Sequence, residues 1–286
     1  MTNYAYIDVG SNSVRLLLNG KKYLTNTQLA EKLVPGGNIL PEAAARTSEA
    51  IKSFRRFALD NGADEVFVFA TEAVRSANNG KDFAALLSAD GITLDVLSPQ
   101  TEAKIGFDGA YCGRGVFQAV LDVGGASSEL AVGNEKGLVY SHSLPLGAVR
   151  IKDYSLDRRE AEKLIDARVP EYGEVPPFTE MVTIGGTTSS LVAVRDGIEP
   201  YDPSKIHLKK ITYAEMEDTV SRILATPVEK RAAIKGMHPQ KTLILPAGIL
   251  LVMGIMRYLS LEEITVSEND NLEGYKRLKE NNSASL

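Results

Sequence analysis

One short pattern occurs twice in this chain, at Ile7-Asp8-Val9-Gly10-Ser11 and at Leu121-Asp122-Val123-Gly124-Gly125. Each copy puts an Asp at the end of an apolar strand, directly before a small-residue turn. A second apolar run follows each turn, over 14–18 and over 128–132. Two such runs around a short Gly/Ser/Asn turn predict a β-hairpin. The same hairpin in the same context twice predicts an internal structural duplication. With 286 residues, one large or two medium domains are expected.

The rest of the chain alternates between strand and helix patterns. A helix is expected over 41–61, with Ile51, Phe54 and Ala58 on one face. Strands follow over 66–70 and 92–97, then a helix over 99–111 that carries Glu102. Helices are expected over 157–169 and 272–280, and strands over 181–184 and 263–266. Gly185-Gly186-Thr187 opens a further helix that runs to 194. Thr212 and Glu215 form a capping-box pattern for a helix over 213–224. The apolar run 243–256 contains Pro246 and two glycines. It reads as a buried helix following a strand and is too short to span a membrane. The expected class is α/β, largely parallel, with two antiparallel hairpins.

Composition narrows the function. The net charge of −5 lacks the basic excess of a nucleic-acid binder, so no DNA or RNA partner is expected. Clefts in an acidic protein still hold polyanions when locally basic. The single Cys112 excludes an intrachain disulfide framework and fits a reducing compartment. Residues 1–3 lead straight into a strand-like run rather than a targeting segment. A cytoplasmic protein without membrane attachment is expected, and a homodimer, since symmetric dimers are the commonest oligomers.

Three small-residue turns follow strands: Gly10-Ser11-Asn12-Ser13, Gly124-Gly125-Ala126-Ser127 and Gly185-Gly186-Thr187. Small residues let backbone N–H groups approach an anion closely. A lone turn of this kind is usually structural; three in one chain point to phosphate. Asp8, Asp122 and Glu129 sit beside the turns, and carboxylates next to phosphate oxygens are the usual surroundings of Mg²⁺. The competing reading makes Asp8 a turn residue and Glu129 part of a solvated strand face. There is no Walker A pattern and no paired His, so His142, His207 and His238 are read as non-catalytic.

These residues resemble the exopolyphosphatase / guanosine pentaphosphate phosphohydrolase family, within the superfamily of actin, sugar kinases and chaperone ATPases. The matching segments run in family order. They are Ile7-Asp8-Val9-Gly10-Ser11-Asn12-Ser13-Val14-Arg15, Ala70-Thr71-Glu72-Ala73-Val74-Arg75, Asp122-Val123-Gly124-Gly125-Ala126-Ser127-Ser128-Glu129-Leu130, Ser143-Leu144-Pro145-Leu146-Gly147-Ala148-Val149-Arg150 and Gly185-Gly186-Thr187. The resemblance implies two ribonuclease-H-like (actin-like ATPase) domains with the active site in an interdomain cleft. The domains are expected at 1–113 and 114–274, with a C-terminal helix, 275–286, returning to the first. It also implies roles. Glu102, in a Glu-Ala pair, would activate water, and Arg75 would lie near the substrate phosphates. Asp122 and Glu129 would surround Mg²⁺, with Asp8 as a third candidate. Ser11, Asn12, Ser13 and Arg15, with Gly124, Gly125, Ala126 and Ser127, would form two phosphate loops.

Some positions depart from the family pattern. Thr101 stands where a second acid is common. Ala126 replaces a glycine, at about 1–2 kcal/mol if that position needs a left-handed backbone. Asn269 and Leu272 replace two arginines near the C-terminus. Each lost phosphate contact would be worth roughly 1.5–3 kcal/mol, which weakens the expected hold on long polyphosphate.

The expected activity is therefore Mg²⁺-assisted, Glu102-driven hydrolysis of a terminal phosphate from polyphosphate or guanosine pentaphosphate. A catalytically weakened binder of the same ligands is the alternative, and a small-molecule kinase of the same superfamily is a third reading. Substrate preference between polyphosphate and guanosine pentaphosphate stays open.

Overall fold

The computed structural model describes residues 2–34, 36–111, 116–154 and 157–283. Cys112 lies outside the described residues. The chain divides into two compact units, Met1–Ile105 with Asn271–Leu286, and Gly106–Asp270.

The first unit contains β1 (Tyr4–Val9), β2 (Ser13–Leu18), β3 (Lys21–Asn26), α1 (Pro41–Asp60), β4 (Glu65–Ala70), α2 (Glu72–Arg75), α3 (Gly80–Ser88) and β5 (Leu94–Val96). Next comes α4 (Pro99–Ala110), within which the division falls. The sheet order is β3-β2-β1-β4-β5, antiparallel across β1–β2–β3 and parallel across β1–β4–β5. Alternate residues of β1 point to opposite faces. Ala5, Ile7 and Val9 enter one core with Ile51 and Ala58 of α1. Tyr6 enters a second core, with Phe69 and Tyr275.

The second unit contains β6 (Gln118–Val123), β7 (Ser128–Asn134), β8 (Gly137–Leu144), α5 (Ala148–Asp153), α6 (Arg158–Arg168), β9 (Glu180–Ile184), α7 (Gly186–Asp196), β10 (Lys209–Thr212), α8 (Tyr213–Ala225), α9 (Ile244–Tyr258) and β11 (Glu263–Val266). Its sheet runs β10-β11-β9-β6-β7-β8. The path β8-β7-β6-β9-β11 repeats the first sheet strand for strand, with the same parallel and antiparallel partners. Both units thus have the 3-2-1-4-5 order of ribonuclease-H-like domains, and the expected fold class holds. α9 is buried on every side from Leu245 to Met256, as an all-round apolar helix must be. It packs against α5, α6, α7 and α8. The last helix, α10 (Asn271–Ser283), belongs to the first unit, where Tyr275 stacks on Phe69 at a centroid distance of 4.2 Å.

The expectation of largely parallel pairing needs correcting. β3, β8 and β10 were not legible, and each adds an antiparallel partner at a sheet edge. Edge strands bury only part of their surface, and Lys21-Lys22 and Lys209-Lys210 lack the apolar run that marks an interior strand. The apolar helix near 243–256 follows a 3₁₀ turn at Pro239–Lys241, not a strand. The capping box at Thr212 and Glu215 is present in both directions. Among the described residues, no helix is long and apolar enough to cross a membrane.

Candidate functional site

The duplication extends to individual atoms. In the first hairpin the Gly10 N–H donates to Ser13 O at 3.0 Å; in the second the Gly124 N–H donates to Ser127 O at 3.0 Å. The loop carbonyls are taken. Ser11 O accepts from Ala30, and Asn12 O accepts from Thr27 and Gln28. Gly124 O accepts from Ala148, and Gly125 O from Val149 and Arg150. The Ser11, Asn12, Gly125 and Ala126 N–H groups have no acceptor among the described residues. Carbonyls satisfied and neighbouring amides left open is an arrangement that receives an anion.

Gly147 explains how α5 reaches the second loop. A Cβ there would stand 2.5 Å from the Gly125 carbonyl carbon and oxygen, so only a glycine allows the approach. Ala126 is buried, and it is not among the left-handed residues. The backbone penalty considered for it does not apply.

Strand register places the charged groups. Asp8 lies opposite Arg15 across β1–β2, and Asp122 lies opposite Glu129 across β6–β7. The same position therefore holds a cation in one hairpin and an anion in the other. Asp8 accepts from Arg15 through Nε at 3.0 Å and also through Nη2. Glu129 is only 4 % exposed and accepts from Ser143 Oγ at 2.7 Å, which removes the solvated-face reading. Two carboxylates directly opposite on neighbouring strands repel each other unless a cation lies near. Both are hard oxygen donors of the kind Mg²⁺ takes, with phosphate and water oxygens completing its shell. Among the described residues, no group of three His, Cys, Asp or Glu side chains could hold a metal by itself.

Glu102 is 5 % exposed and receives Arg75 Nη1 at 2.8 Å. Burial pushes its carboxyl up to about 7; Arg75 opposes the rise, while Asp8 and Glu72 add to it. Arg75 also donates to Leu97 O at 2.6 Å and to Glu72 at 2.7 Å. These three bonds leave its Nε–H and one Nη2–H for a ligand. Thr101 sits in the first turn of α4 with its hydroxyl 2.9 Å from Ser98 Oγ.

Gly185, before α7, adopts φ 89° and ψ 171°, a region essentially restricted to glycine. A Cβ there would fall 2.6 Å from Asp122 Oδ1. Gly185→Ala is expected to cost about 1–3 kcal/mol, measured by urea denaturation, and to displace Asp122. Thr187 Oγ1 donates to Val123 O at 3.1 Å, tying α7 to the end of β6. Gly186 O accepts from Lys241 Nζ at 2.8 Å, and the same ammonium donates to Ser190 Oγ at 2.8 Å.

Sequence reasoning missed Glu72, Ser143 and Lys241. Glu72 carried a usable signal, an acid three residues before Arg75 on one helical turn. Lys241 carried none, since it is 55 positions from Gly186. Leu272, read as a lost phosphate arginine, is fully buried with Tyr6, Phe69, Ile105 and Tyr275. A core position of that kind presents nothing to an anion. The histidines have other partners. His142 lies edge-on to Tyr172, His207 accepts from the Glu268 N–H, and His238 caps the turn at Gln240.

The chain is 29 % identical over 312 residues to exopolyphosphatase 2 of Mycobacterium tuberculosis, covering 96 % of this chain and 97 % of that protein. It is 30 % identical over 304 residues to a bifunctional 3-dehydroquinate synthase/phosphatase of Fusobacterium nucleatum, covering 94 % of this chain but spanning only 45 % of that relative's length. The structure of an exopolyphosphatase from Cytophaga hutchinsonii superposes with a TM-score of 0.84 at 21 % identity, over 97 % of this chain and 98 % of that one, a likeness that speaks for the fold alone. Residues 16–276 match the Ppx/GppA phosphatase family, and with the twin hairpins, their open amides and their strand order already in view, the chain belongs to that family.

Proposed function

We propose that this protein is a Mg²⁺-dependent phosphoanhydride hydrolase that releases the terminal phosphate of polyphosphate or guanosine pentaphosphate. The observation that carries the reading is Glu102, a buried carboxylate held by Arg75 Nη1 at 2.8 Å, where burial raises its affinity for a proton. A general base works best when its pKa is close to the operating pH.

In the first unit, Glu102 accepts the proton of the attacking water as its oxygen bonds to the terminal phosphorus. The bond from that phosphorus to the bridging oxygen breaks, and the remaining chain leaves with the electron pair. Arg75 offers its free Nε–H and Nη2–H to the transferring group. The Ser11 and Asn12 amides supply further donors to phosphate oxygens. Asp8 is read as the anchor of Arg15. In the second unit, Asp122 and Glu129 would hold Mg²⁺, with the Gly125 and Ala126 amides available to phosphate. Bound there, Mg²⁺ would offset negative charge on the phosphate oxygens. Ser143 Oγ donates to one oxygen of Glu129 at 2.7 Å, and a carboxylate has further lone pairs for a metal and its waters.

The test is phosphate release by the purified protein from short polyphosphate, long polyphosphate and guanosine pentaphosphate, with and without Mg²⁺. Chelation is expected to end release. Glu129→Gln should raise the Mg²⁺ needed for half-maximal rate by about 10–100-fold. Release that is indifferent to chelation would sink the metal assignment. Tight ligand binding with no release would select the non-catalytic binder instead.

A further inference from the structure

Arg75 does not meet Glu102 alone. Its Nη2 holds Glu72 at 2.7 Å while its Nη1 holds Glu102 at 2.8 Å and the Leu97 carbonyl at 2.6 Å. The side chains of Arg75, Glu72 and Glu102 are 18 %, 15 % and 6 % exposed. An ion pair three residues apart on an open helix face is weak and consequential only to itself. This pair is mostly buried, and its cation is shared with a second carboxylate 27 positions away.

The local backbone fixes Glu72. β4 ends at Ala70, and α2 is a single turn from Glu72 to Arg75. The Glu72 carbonyl accepts from both the N–H and the hydroxyl of Ser76, at 2.9 and 2.8 Å. The carboxylate is therefore presented to Arg75 from a turn that is itself held.

We propose, resting on the reading of Glu102 as the base, that Glu72 is a positioning residue that acts on Glu102 through Arg75. A guanidinium held at one nitrogen swings on its long side chain. Held through Nη1 and Nη2 at the same time, its plane is defined. Glu72 supplies the Nη2 contact, which keeps Nη1 on Glu102 and the Nε–H edge open to the transferring phosphate. Glu72 also divides the guanidinium charge between two carboxylates, so Arg75 offsets the burial of Glu102 only in part. The charges acting on Glu102 are Arg75 and Glu72 from α2 and Asp8 from β1. Asp8 is itself paired with Arg15 of β2. Lys104 and Asp108 share the helix of Glu102.

Two variants separate position from charge. Glu72→Gln keeps an oxygen acceptor for Nη2 and removes the charge; Glu72→Ala removes both. In the phosphate-release assay, Glu72→Ala is expected to lose about tenfold to a hundredfold in kcat with KM little changed. Glu72→Gln should recover most of that rate. Its acid limb should move to lower pH by roughly half a unit to one unit, because a nearby negative charge is gone. Titration of ¹³C-labelled Glu102 carboxyl by NMR, in the wild type and in Glu72→Gln, reports the same downward move without requiring turnover. Wild-type kcat in Glu72→Ala together with an unmoved Glu102 titration in Glu72→Gln would overturn the proposal. Glu102→Gln in the same assay keeps the two readings apart. Full activity there would remove Glu102 as the base, while the NMR titration would still decide whether Glu72 governs it.

Discussion

Glu102→Gln is expected to lower phosphate release by about 10²–10⁴-fold, the usual contribution of a positioned general base, and to leave the protein folded. The amide keeps the shape of the carboxyl but takes no proton from water. Arg75 remains satisfied by Glu72 and by the Leu97 carbonyl, so the loss should appear in kcat and not as aggregation. The pH dependence carries a definite sign. Only the ionised carboxylate is a base, so kcat/KM of the wild type should climb with pH and level off above about 7. In the variant that limb should vanish. Stability moves the other way. The folded-state pKa of about 7 lies above the ordinary 4.5, so the folded state holds this proton more tightly. The resulting contribution to stability is complete below about 4.5 and is lost as pH rises through about 7. At pH 8 the melting temperature of Glu102→Gln should equal or exceed that of the wild type. Near-normal release by the variant would remove the proposed base.

The second large effect comes from restoring an arginine. Leu272→Arg returns the family residue to its place, and sequence reasoning alone would expect tighter binding of long polyphosphate. The structure predicts the reverse. Leu272 is fully buried among aromatic and aliphatic side chains, and a guanidinium there would be a buried charge without a partner, at about 3–5 kcal/mol. Against a typical total stability of about 5–15 kcal/mol, that loss threatens the packing of α10 on β1 and β4. A marked fall in the urea midpoint is expected, and Leu272→Met should cost less than about 1.5 kcal/mol. Asn269→Arg is the informative contrast. Asn269 is exposed, so the substitution should leave the melting temperature unchanged and lower KM for long polyphosphate. A stable, active Leu272→Arg would show that α10 is held by something other than this cluster.

What the sequence determined by itself was the duplicated hairpin, and from it the fold class. The Asp, the small-residue turn and the flanking apolar runs are local signals. Backbone sterics and the two-residue period of a strand act over a few positions, so the register that sets Asp8 against Arg15 and Asp122 against Glu129 follows from the turn. The capping box at Thr212 is equally local. The resemblance that named Glu102 and Arg75 rested on motifs of this kind. Tertiary structure alone decided which of those groups meet and how much water they see. The proton affinity of Glu102 comes from burial and from charges on α2 and β1. Glu72 gains its significance because Arg75 folds onto a carboxylate far along the chain. Leu272 changed from a lost ligand to a core residue for the same reason. Desolvation and like-charge proximity depend on three-dimensional neighbours, and a one-dimensional pattern does not contain them.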